Sequence, residues 1–530
     1  MKDRARTLAS RPGTFAVALI LMAGLGAIAI AQATRLGPGM GSDSAVYVAG
    51  TQSLLKGEGL RWEMGGGESR PSTHPPLYSA VLVPFEASGI GWQTGARVLG
   101  AALFSATIAG TGVAARRMTG SAAVGLVAAL LVLTTPDLIV SYSWAMTEGL
   151  YLALTILLIL LSLQYLEEPS WLRVTAIGLT TCLLYLTKFG GVSVILAVAI
   201  LLLVGPGLSR RERWRHLLAY AAVVIPPFLL WGWVNTGNTG ALFRPLAVNP
   251  IDGSQVRSGA AVLIAWMLPQ DRVPEVLNPV RTVFLLAIVA VAAMAAVAIV
   301  AAAWRRSRQP GKVAEAARWR WIVPAALAGS YFAVHAFSVL FTLPQPDTGT
   351  RTLLPLYLPI VLLGCWAISL VWSTASRSIR AIVLVLAVVF LGGRVMASLS
   401  AIREFADQGA GYTAWKSAGV IAVLQATPGD IVYTDDEGPV FLLAGRYARS
   451  IPFKWSREQD TVRPSYPAEL ERMRSQLRTG ALLVLFYPAP RMRELPSYDE
   501  ITEGMVEIFA DARGRIYVWQ ELEAEDASDA

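Results

Sequence analysis

Charged residues are scarce in this chain. Asp, Glu, Lys and Arg make up 15% of its 530 residues, against about 25% in a typical soluble domain. Hydrophobic residues make up 54%, and the shortage of charge extends over the first three quarters of the sequence. This pattern argues against a soluble protein and predicts a polytopic membrane protein. The net charge of +8 does not indicate nucleic-acid binding, because the arginines cluster between apolar runs, where they orient membrane spans.

Cysteine and histidine are scarcer still. The two cysteines, Cys182 and Cys365, each lie within an apolar run, so we predict buried hydrophobic side chains rather than a disulfide or a redox pair. The three histidines, His74, His216 and His335, are too scattered in the sequence to indicate a histidine-rich metal site. A Walker loop or a dinucleotide fingerprint in a suitable context is also missing from the sequence.

About eleven apolar segments are long enough to span a bilayer, which takes about 20 residues. They lie at approximately 14–33, 95–114, 120–136, 147–165, 171–187, 189–205, 216–234, 281–304, 319–342, 352–372 and 379–397. With a cytoplasmic N-terminus, the connections that contain Arg116, Arg210 and Arg305 all fall on the cytoplasmic side, as the positive-inside rule requires. The first run ends in a sequence that resembles a signal-peptide cleavage site, but we interpret it as an uncleaved span. The chain is therefore predicted to be a multi-pass protein of the cell membrane.

Changes in composition predict the domain organisation. Residues 1–400 are predicted to form the transmembrane domain, including a long first outer loop at 34–94 with juxtamembrane helices. In residues 401–523 charges and turns return, and short apolar strands alternate with helical patterns. This part is predicted to be a small α/β domain, and the odd number of spans places it on the extracytoplasmic side of the membrane. The acidic tail at 524–530 is predicted to be disordered.

The first outer loop carries a carboxylate shortly after the first span. The pattern at 45–56 predicts a short amphipathic helix, with Ser42 or Asp43 as its N-cap and Gly57 as its end. The apolar run 76–85 is too short to span and predicts an interfacial or re-entrant helix. At the membrane boundary, an acidic residue can also act as a general base towards a hydroxyl. Spacing alone favours the capping role of Asp43 over the catalytic one.

A second carboxylate, Glu148, begins the fourth span on the same predicted outer side. A carboxylate at this depth is costly and is therefore a functional candidate. The alternative is charge complementarity with the helix N-terminus, with Thr147 as the cap. Three cations, Arg70, Lys188 and Arg351, are predicted on the outer face, where each either binds a phosphate or extends to lipid headgroups.

Short motifs follow one another in order on the predicted outer side. They are Asp43–Tyr47, Leu54–Gly59, His74–Tyr78, Ala145–Leu150, Thr187–Gly191, Trp233–Gly237 and Arg351–Leu356. In residue type and order they resemble motifs of the GT-C membrane glycosyltransferases. More narrowly, they resemble glycosyltransferase family 39, which includes the protein O-mannosyltransferases and the aminoarabinose transferases. The resemblance covers about residues 10–400 and implies a GT-C fold, in which Trp233–Gly237 is a loop.

The resemblance implies an inverting hexosyl- or pentosyltransferase. It would move a sugar from a polyprenyl-phosphate donor to a hydroxyl of a cell-envelope acceptor, which could be a lipid, a polysaccharide or a protein. Asp43 would be the general base, and Glu148 a second catalytic carboxylate that orients the acceptor or shares a divalent cation with Asp43. No other cofactor is expected. The expected partners are the lipid-linked donor, the acceptor and membrane lipids, without nucleic acid.

The resemblance also assigns the remaining site residues. The donor phosphate would be bound by His74, Arg70, Lys188 and Arg351, and the site would be shaped by Tyr47, Pro75, Pro76 and Tyr78. His74 departs from the pattern, because related enzymes have a lysine there, so a phosphate contact by His74 would depend on pH. Ser44 departs as well, since many relatives have a second acid at this position. That departure favours a bacterial lipid or polysaccharide acceptor over a protein.

Two other functions account for some of these features. A transporter or lipid-linked-sugar flippase also needs about a dozen spans, but it predicts charges within spans and matched halves with interrupted helices. The sequence has few charges within spans and no such halves. A non-catalytic scaffold or receptor is supported by the predicted outer domain alone.

Overall fold

The computed structural model describes a set of ranges that together cover most of the chain. These are residues 12–63, 69–72, 74–204, 208–239, 246, 248–250, 253–267, 319–343, 345–427, 431–456, 461–490 and 492–520. By their internal contacts the residues group into two compact units. The membrane unit comprises Met1–Arg35, Arg97–Ser143 and Thr147–Asp407. The loop–sheet unit comprises Leu36–Ala96, Trp144–Met146 and Gln408–Ala530.

Helices dominate the described residues. They are α1 (Pro12–Ala33), α2 (Ser42–Leu55), α3 (Leu77–Ala87), α4 (Trp92–Thr119), α5 (Ala122–Leu133), α6 (Pro136–Ser143), α7 (Thr147–Glu167), α8 (Trp171–Thr187), α9 (Val192–Val204), α10 (Arg210–Thr239), α11 (Gly253–Met267), α12 (Ile322–Phe341), α13 (Thr350–Leu353), α14 (Tyr357–Thr374), α15 (Arg377–Gln408), α16 (Gly419–Ala426), α17 (Glu437–Ala444), α18 (Tyr466–Arg478) and α19 (Tyr498–Ile501). The strands are β1 (Arg61–Glu63), β2 (Ser69–Pro71), β3 (Val432–Thr434), β4 (Arg449–Ser450), β5 (Leu482–Leu485), β6 (Met505–Ala510) and β7 (Arg515–Trp519).

Within the described ranges, seven helical segments are long and apolar enough to cross a membrane, or eight if α5 and α6, bent by 60°, form one span. Ten of the eleven predicted spans coincide with helices, and the span predicted at 281–304 lies outside the described residues. Helices α8 and α9 are apolar but shorter than the others. The exact number of spans therefore stays a prediction. Both cysteines are free and buried, as predicted.

The bend between α5 and α6 is stabilised by a buried arginine of α15. Arg394 is 2% exposed and donates to the Leu131 carbonyl (3.3 Å) and to the Tyr357 hydroxyl (2.9 Å). It also contacts the Thr135 hydroxyl at the end of α5. Backbone carbonyls freed at a helix break must find donors inside a membrane protein. The guanidinium supplies those donors from a neighbouring helix.

The loop–sheet unit contains a mixed five-stranded sheet in the order β4-β3-β5-β7-β6. Strand β3 is parallel to β4 and β5, and β7 is antiparallel to β5 and β6. Strands β3, β5, β6 and β7 coincide with apolar runs of the sequence, whereas β4 is the short polar segment Arg449–Ser450. Asp511 closes the β6–β7 turn by accepting from the backbone N–H groups of Arg513 (2.7 Å) and Gly514 (2.9 Å).

The first loop belongs to the same unit as the sheet. Met40 pairs with Gly411 in an isolated parallel bridge, and the Tyr412 N–H donates to the Met40 carbonyl (2.9 Å). Ala45, Val48 and Trp62 form a small buried cluster with Phe441 of α17. Residues Leu36–Ala96 of the first loop thus group with Gln408–Ala530 by their contacts. The tail at 524–530 lies outside the described residues.

Candidate functional site

The N-terminus of α2 is closed by a serine rather than by the aspartate. Gly41 is the N-cap, and the Ser44 hydroxyl accepts from the Gly41 N–H at 3.1 Å. The prediction of Ser42 or Asp43 as the N-cap was wrong, because the helix begins at Ser42 and Asp43 lies in its first turn. The predicted end was right: Gly57 follows the C-cap with φ +79°, a conformation that favours glycine. The Asp43 carboxylate is therefore not the N-cap group of α2.

Asp43 faces a histidine from the second half of the loop. Its Oδ1 lies 3.7 Å from His74 Nε2, which is too long for a hydrogen bond and suits an ion pair when the imidazole is protonated. The side chains of His74 and Asp43 are 31% and 34% exposed. Both groups can therefore reach solvent or a bound molecule.

Two buried tyrosines pack next to His74, one in direct contact with its ring and the other behind the first. The Tyr47 ring packs edge-on against both His74 and Tyr78, with ring centroids 5.4 Å apart in each case. Tyr47 and Tyr78 are 5% and 2% exposed. Pro75 is buried beside them, and Pro76 is the N-cap of α3. Of the four residues that the family resemblance predicted to shape the site, Tyr47 contacts His74 directly and Tyr78 contacts Tyr47.

Close packing of α2 on α3 fixes the tyrosines. The Ser79 hydroxyl donates to the Tyr47 carbonyl (2.9 Å), and the Thr51 hydroxyl donates to the Ser79 carbonyl (3.1 Å). A Cβ at Gly50 would lie 2.9 Å from Ser79 Oγ, so only glycine permits this approach. The loop thus presents Asp43 and His74 from two interlocked helix ends.

Trp144 packs inside the loop–sheet unit. A Cβ added at Gly39, Gly41 or Gly411 would lie only 2.8 to 3.2 Å from an atom of the Trp144 ring, so the ring packs directly against these glycines. The Ala145 N–H also donates to the Gly39 carbonyl (2.9 Å). Trp144 therefore fixes the backbone that leads into α2. The signal that could have found it is the repeated glycines at 37–41, since glycines leave room for a large ring.

Glu148 lies in the first turn of α7, in the membrane unit, and is 4% exposed. Its Oε1 accepts from Lys188 Nζ at 3.2 Å and from Arg351 Nε at 3.1 Å. Its Oε2 is buried and has no hydrogen-bond partner among the described residues. A buried carboxylate oxygen left without a donor is costly and calls for an explanation, such as a catalytic or binding role.

A sharp turn between α8 and α9 delivers the lysine. Lys188 is the C-cap of α8 and has extended backbone angles, and a short 3₁₀ helix follows at Phe189–Gly191. A Cβ at Gly191 would lie 2.6 Å from the Tyr185 backbone nitrogen, so the turn requires glycine there. The Ser193 hydroxyl donates to the Gly190 carbonyl (2.7 Å) and holds the turn closed.

The arginine comes from a second irregular segment, α13 and the 3₁₀ turn Leu354–Leu356. Lys188 Nζ also donates to the Arg351 carbonyl at 3.3 Å, so the two cationic segments are joined directly. The Tyr331 hydroxyl of α12 contacts the Thr352 carbonyl. Two separate segments of the membrane unit thus contact the Glu148 carboxylate, and α12 contacts one of them.

The two units share the predicted site residues unequally. Glu148, Lys188 and Arg351 meet in the membrane unit. The loop–sheet unit contains Asp43, Tyr47, His74, Pro75, Pro76 and Tyr78. The backbone of Arg70 pairs with Trp62 across β1 and β2, and its side chain lies outside the described part of the structure. Over the residues that the structure describes, no group of three or more His, Cys, Asp or Glu side chains could hold a metal ion.

A second pair of acids, Asp435 and Asp436, follows strand β3 and was not predicted as a site. Asp435 accepts from the backbone N–H groups of Phe486 (2.9 Å) and Tyr487 (3.3 Å) and from the Tyr498 hydroxyl (2.5 Å). Burial raises the pKa of Asp435 above its usual range, although these hydrogen bonds oppose the rise. Because all three donors belong to the loop–sheet unit, we interpret Asp435 as a structural group that joins strand β3 to the segment after β5.

The fold of this chain is similar to several solved structures. ArnT from Cupriavidus metallidurans, bound to undecaprenyl phosphate, is similar with a TM-score of 0.57 and 14% identity, covering 94% of this chain and 97% of that one. The Archaeoglobus fulgidus oligosaccharyltransferase is similar with a TM-score of 0.52 and 11% identity, covering 87% and 67%. The mycobacterial arabinofuranosyltransferase AftD is similar with a TM-score of 0.53 and 14% identity, covering 94% of this chain and 39% of that chain.

These likenesses define the class of fold. The chain has the fold of the GT-C membrane glycosyltransferases, so the fold that the motifs predicted is confirmed. At 11–14% identity the likeness concerns the fold and leaves the chemistry to the site itself. No protein-family model and no curated protein sequence matches the chain. One motif assignment was wrong: Trp233–Gly237, predicted as a loop, belongs to helix α10.

Proposed function

We propose that the chain is a membrane glycosyltransferase that moves a sugar from a polyprenyl-phosphate donor to a hydroxyl of a cell-envelope acceptor. The observation that carries the proposal is the buried cluster of Glu148 with Lys188 and Arg351 within a GT-C fold. In this proposal the N-terminus is cytoplasmic, and both the site and the C-terminal domain face the outer side. The donor class is taken from the ArnT structure, which holds undecaprenyl phosphate.

The charge of the cluster suits a phosphate leaving group. Two cationic side chains, those of Lys188 and Arg351, share the Glu148 carboxylate. Lys188 and Arg351 are 26% and 53% exposed, whereas Glu148 is 4% exposed. A ligand can therefore contact the cations while the carboxylate holds them in place. Cations aimed at a departing phosphate stabilise the charge that develops as the sugar–oxygen bond breaks.

Asp43 is proposed to activate the acceptor. The acceptor hydroxyl gives its proton to the Asp43 carboxylate, and its oxygen bonds to the anomeric carbon from the face opposite the phosphate. The bond from that carbon to the phosphate oxygen breaks with its electron pair, and the polyprenyl phosphate leaves. One inversion at the anomeric carbon results. The partial exposure of Asp43 suits a group that must meet the hydroxyl of a bound acceptor.

The surroundings of Glu148 do not favour a divalent cation. Two positively charged side chains already share its Oε1, and their repulsion would oppose a metal at Oε2. No step of the proposed reaction is therefore routed through a metal. The unpartnered Oε2 is better suited to accept a hydrogen bond from a sugar or acceptor hydroxyl.

The test is restoration of an envelope glycan in cells that lack the protein. Mass spectrometry of envelope glycans should show one sugar lost in the deletion strain and restored by the wild-type chain. Asp43→Asn should not restore it at an equal level of folded protein in the membrane. Glu58→Gln is the matched control, since Glu58 is an exposed carboxylate of the same loop. Full restoration by Asp43→Asn would exclude Asp43 as the base.

A crosslinking experiment separates the enzyme from a transporter or scaffold. A photoactivatable polyprenyl-phosphate probe should label the wild-type chain near Asp43, and excess undecaprenyl phosphate should compete. If the deletion strain loses a glycan but the probe does not label this loop of the wild-type chain, the protein is needed for the glycan and the proposed donor is wrong. An unchanged glycan profile in the deletion strain would remove the proposed function.

A further inference from the structure

A cavity of about 510 Å³ lies at the far end of α7 from the Glu148 cluster. Its walls come from four segments: the start of α1, the end of α4, the end of α7 and the residues just before α12. Glu167, at the end of α7, is 19 residues from Glu148 along one helix, which corresponds to about 28 Å. This is close to the thickness of a bilayer core, about 30 Å. The cavity therefore lies at the opposite membrane interface.

The polar part of the cavity is strongly basic. Arg116, Arg117 and Arg320 line it together with a single carboxylate, that of Glu167. Arg320 Nη2 pairs with Glu167 Oε1 at 3.0 Å, and Arg320 Nη1 donates to the Arg117 carbonyl at 2.6 Å. These contacts hold Arg320 in place and neutralise one of the three positive charges. Two arginines are left to supply a net charge of about +2.

Neither of these two arginines has a carboxylate partner in the described residues. The Arg116 guanidinium lies 4.5 Å from the centroid of the Phe15 ring. Arg117 Nη1 is buried and has no hydrogen-bond partner in the part of the chain that the structure describes. An uncompensated cation in a recess between membrane helices is costly unless an anion accompanies it. The site is thus built for an anion.

The remaining walls of the cavity are apolar. Phe15, Ala16 and Leu19 line it from α1, and Val113 lines it from α4. The next turn of α1 faces outward, with Ile20 68% exposed. A ligand with its charge on the arginines can therefore continue along an apolar helix surface. A small inorganic anion would use only the basic half of the site.

We propose that this cavity binds the phosphate headgroup of an anionic phospholipid, with an acyl chain along the surface of α1. Charge complementarity and the position at the membrane interface favour this ligand. The lipid belongs to the leaflet opposite the Glu148 cluster, so the site is separate from the proposed donor site. It would bridge the four segments that line the cavity, from α1, α4, the end of α7 and the residues just before α12.

The test compares lipids on the full-length protein in nanodiscs. Replacing phosphatidylcholine with phosphatidylglycerol should raise the unfolding temperature by about 5 °C. The double variant Arg116→Gln, Arg117→Gln should lose at least half of that increase. Arg211→Gln is the matched control, because Arg211 is an exposed arginine at the start of α10; it should keep the full increase. A full increase in the double variant would overturn the proposal.

A second variant covers the case in which the double variant does not fold. Ala16 is exposed and lines the cavity, so Ala16→Trp fills the site without removing a charge. It should also lose most of the increase with phosphatidylglycerol, and an undiminished increase would overturn the proposal. Inorganic phosphate at millimolar concentration provides the last arm. An equal increase with phosphate in phosphatidylcholine discs would overturn the assignment to a lipid.

Discussion

Two carboxylates of this chain stand in opposite surroundings. Glu148 is 4% exposed and lies within 3.2 Å of two cationic side chains, whereas the Asp43 side chain is 34% exposed and lies 3.7 Å from an imidazole. A carboxylate that is held by two permanent cations is a poor base, because protonating it would sacrifice both contacts. A carboxylate that is about one third exposed can be reached by the hydroxyl of a bound molecule. The contrast suggests that Glu148 organises charge and that Asp43 moves protons.

The largest expected effect comes from removing the charge of Glu148. In Glu148→Gln, Lys188 and Arg351 lose their counter-charge, and breaking a buried pair costs about 3–5 kcal/mol, less here because both cations are partly exposed. We expect a loss of transfer activity and a lower unfolding temperature. Asp43→Asn should abolish activity while leaving the unfolding temperature nearly unchanged. Equal thermal effects of the two variants, measured in the same nanodiscs, would remove the distinction between the two carboxylates.

The second effect concerns the lysine of the cluster. Lys188→Met removes one of the two cations on Glu148 and should weaken binding of undecaprenyl phosphate by about tenfold. Lys188→Arg should recover part of the loss, since it keeps the charge but changes the geometry. Binding is measured by competition with the photoactivatable probe. Unchanged binding in Lys188→Met would place the donor phosphate away from this cluster.

A smaller effect is expected at the histidine beside Asp43. An imidazole is charged only when protonated, whereas related enzymes of the family have a lysine at this position. His74→Lys supplies a permanent cation and should therefore strengthen donor binding by a few-fold in the competition assay, whereas His74→Gln should weaken it. Unchanged donor binding in both variants would mean that the phosphate role of His74 is wrong.

The smallest effect is at the helix cap that supports Asp43. Ser44→Ala removes the acceptor of the Gly41 N–H and should cost about 1 kcal/mol of stability. Transfer activity should fall only slightly, because the Asp43 carboxylate is untouched. Thermal unfolding and the glycan assay test this together. An activity loss as large as that of Asp43→Asn would mean that the hydroxyl itself takes part in the reaction.

The elements most visible in the sequence were those with local signals. Span positions follow from apolar length, and the β6–β7 hairpin follows from two apolar runs around Asp511 and Gly514. The N-cap of α2 was misassigned because the N-cap residue, Gly41, has no side chain that would identify it in the sequence. Its backbone N–H donates instead to the hydroxyl of Ser44, which lies within the helix. Local sequence patterns thus predicted where helices and strands lie more accurately than where they begin and end.

Long-range pairing was beyond such signals. Lys188 and Arg351 are 40 and 203 residues from Glu148 in the chain. Sequence patterns could place all three on one predicted side of the membrane, but their meeting depends on how α7, α8 and α13 pack. The association of the first loop with the C-terminal region was missed for the same reason, since residues 36–96 and 408–520 are far apart in sequence.

The bridge between Met40 and Gly411 sets an order of events during biosynthesis. A ribosome must add about 370 further residues before the first loop can meet the strand-like segment that pairs with it, which takes roughly 20–75 s at 5–20 residues per second. During that interval the loop can contact only earlier parts of the chain, as Tyr47 does with Tyr78 and Gly39 with Trp144. Asp43 and His74 can therefore be placed together early, whereas the Met40 pairing waits until Gly411 has been made. A chain shortened before Gly411 would keep the Gly39–Trp144 bridge and lack the Met40–Gly411 bridge.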